Sequence, residues 1–364
     1  MTIELNSRVR RIPVYPAAAT YDFGGDLVKL ASNETPWAPH PDVLAAVQAA
    51  AASLNRYPDP STSGLRARIS ERTGVPASRI TTGNGSCEIL LAAAEAMLEP
   101  GAEIVYAWPS FSMYPHLAAM TGAQAVTVPL DDAGCHDLDA MLAEVTVATR
   151  IVVVCNPNNP TATALPVERL DAFAATLPGH VLLIVDEAYV EFNTLQGDPD
   201  ASLSLIERHP NVVLLRTFSK VYGLCGLRIG YALGSEDFRL ACDRVRQPFS
   251  VNMLAQAAAS EAILHQDEVE RRVERTVIER VHLETELGDR GLAQTDSQAN
   301  FAWVSLGERD EEAVMRGLGE RGVIVRSGTD LGEPGWLRVT YGTRQENDRF
   351  LQALDEALSQ APPG

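Results

Sequence analysis

Val181–Tyr189, VLLIVDEAY, and Val212–Lys220, VVLLRTFSK, decide the fold of this chain. Each is a continuous apolar run of strand length that stops abruptly at polar residues, and neither alternates as a half-solvated strand would. Such strands are covered on both faces. Working outward, EIVYAW (103–108), AQAVTVPL (123–130) and RIVVVCNP (150–157) repeat the pattern. Helical stretches lie between them around SMYPHLAAMTG (112–122), LDAMLAEV (138–145) and VERLDAFAAT (167–176). Apolar strands spaced by amphipathic helices predict an α/β fold, a mostly parallel sheet with helices on both sides. Ligands of such sheets collect at the carboxyl ends of the strands. There the polar residues gather: Phe111 after one strand, Asn156 to Thr161 after another, then Asp186 with Tyr189, then Lys220.

On the N-terminal side, residues 1–35 are irregular and proline-punctuated and read as an arm that joins a smaller domain. PDVLAAVQAAAASL (41–54) is an alanine-rich helix closed by the turn cluster NRYPDPSTSG, which exposes Tyr57. GNGSCEILLAAAEAML (83–98) places two glycines before a helix that starts at Ser86. Free N–H groups at such a start can hold an anion, though Gly-x-Gly also serves turn geometry alone. It is not a dinucleotide fingerprint, because Glu88 replaces the third glycine.

On the C-terminal side, QDEVERRVERTVIERVHLETELG (266–288) sets Val269, Val273, Val277 and Val281 four apart among charges, which predicts a long amphipathic helix leaving the large domain of residues 36–265. Strand QANFAWVSL, helix DEEAVMRGLGERG, strands VIVRS and WLRVTYG and a final helix opened by the capping box Thr343-x-x-Glu346 complete a small α+β domain over 266–364.

A chain of 364 residues can bury two such cores. The net charge of −18 argues against nucleic acid or an anionic membrane as partner. Cys87, Cys135, Cys155, Cys225 and Cys242 lie far apart without metal-ligand spacing and read as reduced thiols of a cytoplasmic protein. The N-terminus has no apolar core of a secretion signal, and no apolar run reaches the ~18 residues of a membrane span.

The chemistry starts from a scarcity. Of 30 basic residues only Lys29 and Lys220 are lysines, and only a lysine amine can lose its proton near neutrality and condense with a carbonyl. Lys220 sits past a buried strand with Thr217 and Ser219 beside it and a glycine-rich segment behind; Lys29 lacks that setting. An ordinary loop lysine is the alternative. Asp186 after four apolar residues also describes a Walker B strand, but no GxxxxGK[ST] exists and neither lysine follows a glycine. A satisfied structural aspartate remains the other alternative. The ordered set Asn159, Asp186, Tyr189, Lys220 and Arg228 meets one demand in full. Pyridoxal 5′-phosphate needs a lysine for its aldehyde and a carboxylate for its pyridine nitrogen. It also needs donors on its 3′-oxygen, an aromatic face and a phosphate cradle.

NPNNPT, VDEAYVEF, TFSK and GLRIGYA resemble the fold-type I pyridoxal-phosphate aminotransferases, in the histidinol-phosphate and aromatic amino acid branch, and the likeness runs from ASNETP to WLRVTYGT. The resemblance implies Lys220 as the Schiff-base lysine, Asp186 on the pyridine nitrogen, and Asn159 and Tyr189 on the 3′-oxygen. It implies Phe111 as the stacking aromatic, with Ser86, Cys87, Thr217, Ser219 and Arg228 around the phosphate. Tyr57 is similar to the tyrosine that reaches the neighbouring subunit's phosphate, implying a homodimer with shared sites. Arg338 corresponds to the arginine that grips the substrate's anionic group. The implied reaction moves an amino group between an amino acid and an oxo acid, 2-oxoglutarate as acceptor.

Two positions depart from the family pattern. Cys87 stands where Asp is usual, and NPNNPT is followed by Ala162 where Gly is usual. SNET, in place of NENP, resembles the aromatic (phenylalanine) type. Phe249 in QPFSV agrees, since it stands where the histidinol-phosphate type tends to carry a tyrosine hydroxyl. Arg326 in VIVRSG can serve the anion of either substrate. A catalytically silent dimeric binding protein is disfavoured by the intact Lys220 and Asp186 and by the lack of a DNA-binding appendage.

Overall fold

The computed structural model describes residues 25–361 together with residues 3, 4, 6, 10 and 12; most of the expected N-terminal arm lies outside the described residues. In chain order the strands are β1 (Val28–Lys29), β2 (Ile80–Gly83), β3 (Glu103–Trp108), β4 (Gln124–Pro129), β5 (Thr149–Cys155) and β6 (Leu182–Asp186). They continue with β7 (Val212–Thr217), β8 (Gly230–Leu233), β9 (Phe301–Ser305), β10 (Val323–Ile324), β11 (Arg326–Ser327) and β12 (Trp336–Thr340). Seven of them form one sheet in the order β2-β8-β7-β6-β5-β3-β4. All its pairs are parallel except those made by β8, which runs antiparallel to both β2 and β7.

Both faces of this sheet are buried, and the side-chain alternation of a strand divides its residues between two cores. In β5, Val152 and Val154 enter one apolar cluster while Ile151, Val153 and Cys155 enter the other. In β6, Leu183 and Val185 oppose Leu182 and Ile184 in the same way. The continuous apolar runs of the sequence have this cause. Cys155 pairs in register with Asp186, and Asp186 with Leu215, so the carboxyl ends of three parallel strands lie side by side.

A three-stranded antiparallel sheet, β11-β12-β9, packs with the helices Glu311–Glu320 and Arg344–Gln360 around a third apolar cluster. The capping box at Thr343 is present, with the Thr343 side chain on the Glu346 N–H and the Glu346 carboxylate on the Thr343 N–H. β1 pairs in parallel with β10, which ties the N-terminal segment to this sheet system, and Leu30 continues to Thr340 through a backbone hydrogen bond of 2.9 Å.

The long helix Gln266–Asp289 forms as expected, but its buried face is not the valine stripe. Residues four apart advance about 40° around a helix at each step, so a stripe that starts inward at Val269 ends far off that face. Val281 is 58% exposed. Arg272, Thr276, Arg280, Leu283 and Leu287 stay near the direction of Val269 and are the residues buried. Two of them are arginines held by carbonyls: Arg272 donates to Val221 O and Ala38 O, and Arg280 to Ser297 O. Among the described residues no helix is long and apolar enough to cross a membrane.

Candidate active site

At the carboxyl ends of β5, β6 and β7 a cavity of about 230 Å³ is lined by Ser86, Cys87, Phe111, Asn159, Asp186, Tyr189, Thr217, Ser219, Lys220 and Arg228, joined by Ser32, Glu34, Cys155, Ala188 and Cys225. A second recess of about 150 Å³ shares Phe111, Asn159, Tyr189 and Lys220 with it and adds Arg326, Leu331 and Arg338. Positions far apart in sequence thus share one crevice.

Lys220 lies three residues beyond the end of β7 and donates from Nζ to the Ser32 carbonyl at 3.1 Å, 5.5 Å from the centre of the Tyr189 ring. Burial lowers its pKa to about 8, and the Arg338 and Arg228 guanidiniums push the same way, against Cys225 and Glu34. Asp186 ends β6 on the face of Cys155. Burial pushes its carboxyl up to about 6, while the Tyr114 hydroxyl at 3.0 Å, the Ala188 N–H at 3.3 Å and Lys220 pull it back. Tyr189 accepts from Asn33 Nδ2 at 3.0 Å, and burial lifts its hydroxyl pKa above the ordinary range. Of the asparagines in NPNNPT only Asn159 reaches the cavity. Asn156 closes the loop on Leu165 N and O, and Asn158 bonds Ser110, Thr161 and Pro109 O.

The anion end is built by crowding around glycines. The helix Ser86–Met97 has Gly85 as its N-cap at φ 78° and no side-chain cap. A Cβ on Gly85 would stand 2.5 Å from Arg228 Nη2, and one on Gly230 would stand 2.5 Å from the Ser86 N. The guanidinium can lie across the helix start only because both positions lack a side chain. Arg228 Nη1 is held by Cys225 O at 2.9 Å and Ser219 Oγ at 3.4 Å. Burial and the neighbouring Asp186 raise the Cys87 thiol, which stays neutral where the family usually has a carboxylate. Ala162 takes φ 61°, the left-handed backbone glycine adopts freely, so the turn keeps its shape despite the departure.

Arg338 is buried, with Nη1 on Asn159 Oδ1 at 2.6 Å, Nη2 on Ala31 O, and its Cζ 5.5 Å over the Phe301 ring. Arg326 pairs in register with Arg338 on the neighbouring strand and lies 3.8 Å from the Asp330 carboxylate. Tyr57 and Phe249 do not line this chain's cavity. Tyr57 is 80% exposed and stacks on the 41% exposed Phe249, ring centres 4.7 Å apart.

Sequence reading missed Tyr114 and the segment Ala31–Asn33 as site residues. Tyr114, in the first turn of the helix Met113–Thr121, sets its ring edge-on to Phe111 with centres 5.8 Å apart. The backbone acceptors of residues 31 and 32 leave no side-chain signal. A larger cavity of about 440 Å³ lies on the opposite face of the sheet, around Arg216 and Glu191. Arg216 there is paired with Glu187 at 2.8 Å and with Asp200 at 2.7 Å, and the lining holds no lysine.

The donor set fits pyridoxal 5′-phosphate. An uncapped helix start, two hydroxyls and Arg228 suit a phosphate. Asp186 lies at the cavity's inner end, and Asn159 and Tyr189 offer polar groups beside Lys220. The chain matches the family model of aminotransferase class I and II over residues 25–354. It is 42% identical to an aromatic amino acid aminotransferase of Streptomyces coelicolor over 97% of both chains. It is 41% identical to a histidinol-phosphate aminotransferase of Moorella thermoacetica, covering 92% of this chain and 86% of that one. The crystal structure of histidinol-phosphate aminotransferase from Sinorhizobium meliloti in complex with pyridoxal-5′-phosphate superposes with a TM-score of 0.89 at 28% identity, covering 99% of this chain and 98% of that one.

Proposed function

This chain belongs to the class I and II aminotransferases, and on that premise we propose that it moves an amino group between an aromatic amino acid and 2-oxoglutarate. The observation that carries this reading is the recess around Arg338. A guanidinium clasped by Asn159 and Ala31 suits a carboxylate, and Phe111, Tyr189 and Leu331 offer apolar wall for a ring. The family is pyridoxal-phosphate-dependent. When bound, that group supplies an aldehyde carbon for imine exchange and a ring that draws electron density from the substrate.

The chain's own residues supply the rest. Lys220, held near neutrality by burial, can give up its proton, condense with a carbonyl and afterwards act as the base that moves a proton. Asp186 holds negative charge at the inner end of the cavity, steadied by Tyr114. Asn159 and Tyr189 would orient the cofactor's oxygen side, and Phe111 would cover its ring face. Ser86, Cys87, Thr217, Ser219 and Arg228 would hold its phosphate.

We assign residues 36–265 to the cofactor-binding domain and 266–364 to the smaller one, with residues 1–35 as an arm joining it. We place the enzyme in the cytoplasm as a homodimer in which Tyr57 serves the partner's site. Exposed Tyr57, stacked away from its own cavity, supports that sharing.

A second reading, histidinol phosphate as substrate, is favoured by one observation: Arg326 and Arg338 line the same recess, and two guanidiniums can answer a phosphate. Side-by-side kcat/KM for phenylalanine and histidinol phosphate with 2-oxoglutarate separates the two. Higher kcat/KM for histidinol phosphate overturns the aromatic assignment.

A further inference from the structure

The junction between the start of the helix Pro41–Ala51 and the end of the helix Met253–Ala262 carries a cluster that catalysis does not use. Among the described residues His40, Asp42 and His265 bring one ligand atom each to within 4.8 Å of one another. Asp42 Oδ2 lies 3.6 Å from His40 Nδ1 and 3.8 Å from His265 Nε2. Glu261 Oε1 lies 3.0 Å from His265 Nε2, outside that set of three, and joins as a fourth donor only by a turn of its side chain. Ligand atoms bound to zinc at ~2.0–2.1 Å in a tetrahedron stand about 3.4 Å apart. The two distances from Asp42 Oδ2 to the imidazole nitrogens are close to that spacing.

We propose that His40, His265, Asp42 and Glu261 form a divalent transition-metal site, with zinc as the ion the donor set suits best. Two imidazoles with carboxylate oxygens select a borderline ion over magnesium or calcium, which favour oxygen alone. The two imidazoles are half-buried and stack with ring centres 4.0 Å apart, while Asp42 is exposed, so the site is open to an ion from solvent and backed by packed rings. His40 Nδ1 now accepts from the Asp42 N–H at 3.3 Å, the N-cap bond of the helix Pro41–Ala51, which a metal on Nδ1 would displace.

The location gives the site a consequence. His40 ends the segment that carries Asn33 and Glu34, and His265 immediately precedes the long helix Gln266–Asp289. Arg272 of that helix already bonds Ala38 O at 2.7 Å and Val221 O at 3.0 Å, and Val221 follows Lys220. A metal here adds a second clamp between the same two pieces of chain, beside the catalytic lysine and without contact to it.

The test uses holoenzyme stripped of metal by chelator, then equilibrium dialysis against ZnCl2, with Co²⁺ as a spectroscopic probe. Wild type should take up one zinc per chain and show cobalt absorption with imidazole ligation, and its melting temperature should rise with zinc. The His40→Ala/His265→Ala double variant should lose this zinc, and Glu261→Gln should weaken it by about tenfold or more. An unchanged cofactor absorption band in each variant shows that the fold is kept. Equal zinc uptake by wild type and the double variant, or no uptake by wild type, overturns the site. The first result would place the ion elsewhere on the chain.

Discussion

The Tyr114 hydroxyl donates to Asp186 Oδ2 at 3.0 Å inside the sheet end, where both side chains are buried. It is one of few groups that stabilise the charged form of a carboxyl which burial pushes up to about 6. Tyr114→Phe should raise that pKa by roughly one unit, the scale of one charge-assisted hydrogen bond. Cofactor affinity of the apoenzyme, titrated by fluorescence between pH 5 and 8, should then fall off about one unit higher than in wild type. Superimposable curves would show that the bond is packing only.

Asp186→Asn should keep the fold and lose turnover by ~10²-fold or more, the cost of removing a preorganised charge. It also has a signature in the apoprotein. A carboxyl raised from 3.8 to about 6 binds its proton more tightly when folded, so its contribution to stability falls as pH rises from about 4 to about 6 and is level above. Urea unfolding of apo wild type and variant should diverge over that window, the variant gaining relative stability as pH rises. A constant difference would deny the shifted carboxyl.

With two lysines in the chain, borohydride reduction of cofactor-loaded enzyme should label one peptide, the one carrying Lys220. Label on Lys29 would refute the assignment. The folded amine lies at about 8, below its ordinary value, so capture of cofactor by the apoenzyme should accelerate as pH climbs through that value. After burial, Arg338 is the next cause, so Arg338→Gln should move the midpoint upward, read from loading rates.

Tyr57→Phe and Lys220→Ala enzymes should each be defective. Dimers mixed from the two should regain a fraction of activity, because one of the two shared sites escapes both changes. An active monomer by sedimentation would contradict the sharing.

Phe249→Tyr should narrow a preference of at least tenfold for phenylalanine over histidinol phosphate. An aromatic contact adds ~0.5–1.5 kcal/mol beyond area, and a buried phosphate short of one donor loses ~1–3 kcal/mol. Because Phe249 stacks on Tyr57 outside its own chain's cavity, both are expected to act across the dimer. An unchanged kcat/KM ratio would reduce Phe249 to packing.

The sheet and most of the crevice were legible because buried parallel strands write themselves as apolar runs and end in the residues that do chemistry. Lys220, Asp186 and Asn159 stood out for that reason. The buried face of the long helix was not legible. Arg272 and Arg280 are polar by type, and partners from distant chain, the Val221 and Ser297 carbonyls among them, together with Glu268 beside Arg272, make their burial tolerable. Asn156 and Asn158 share the NPNNPT loop with Asn159 but are consumed in shaping it, through partners as distant as Pro109.

The four residues that follow β1 give the site a tension line. Ala31 O receives Arg338, Ser32 O receives Lys220, and Asn33 reaches Tyr189 while its backbone N–H is held by Thr340. Arg338, Lys220 and Tyr189 are therefore strung on one ribbon, in consecutive order. In the proposed reaction Lys220 has to leave Ser32, which would release the ribbon at its middle while both neighbours stay fastened. The carbonyl that Lys220 would vacate is thus one peptide bond from the carbonyl that holds Arg338. A single residue inserted after Leu30 would put every one of these fastenings out of step at once.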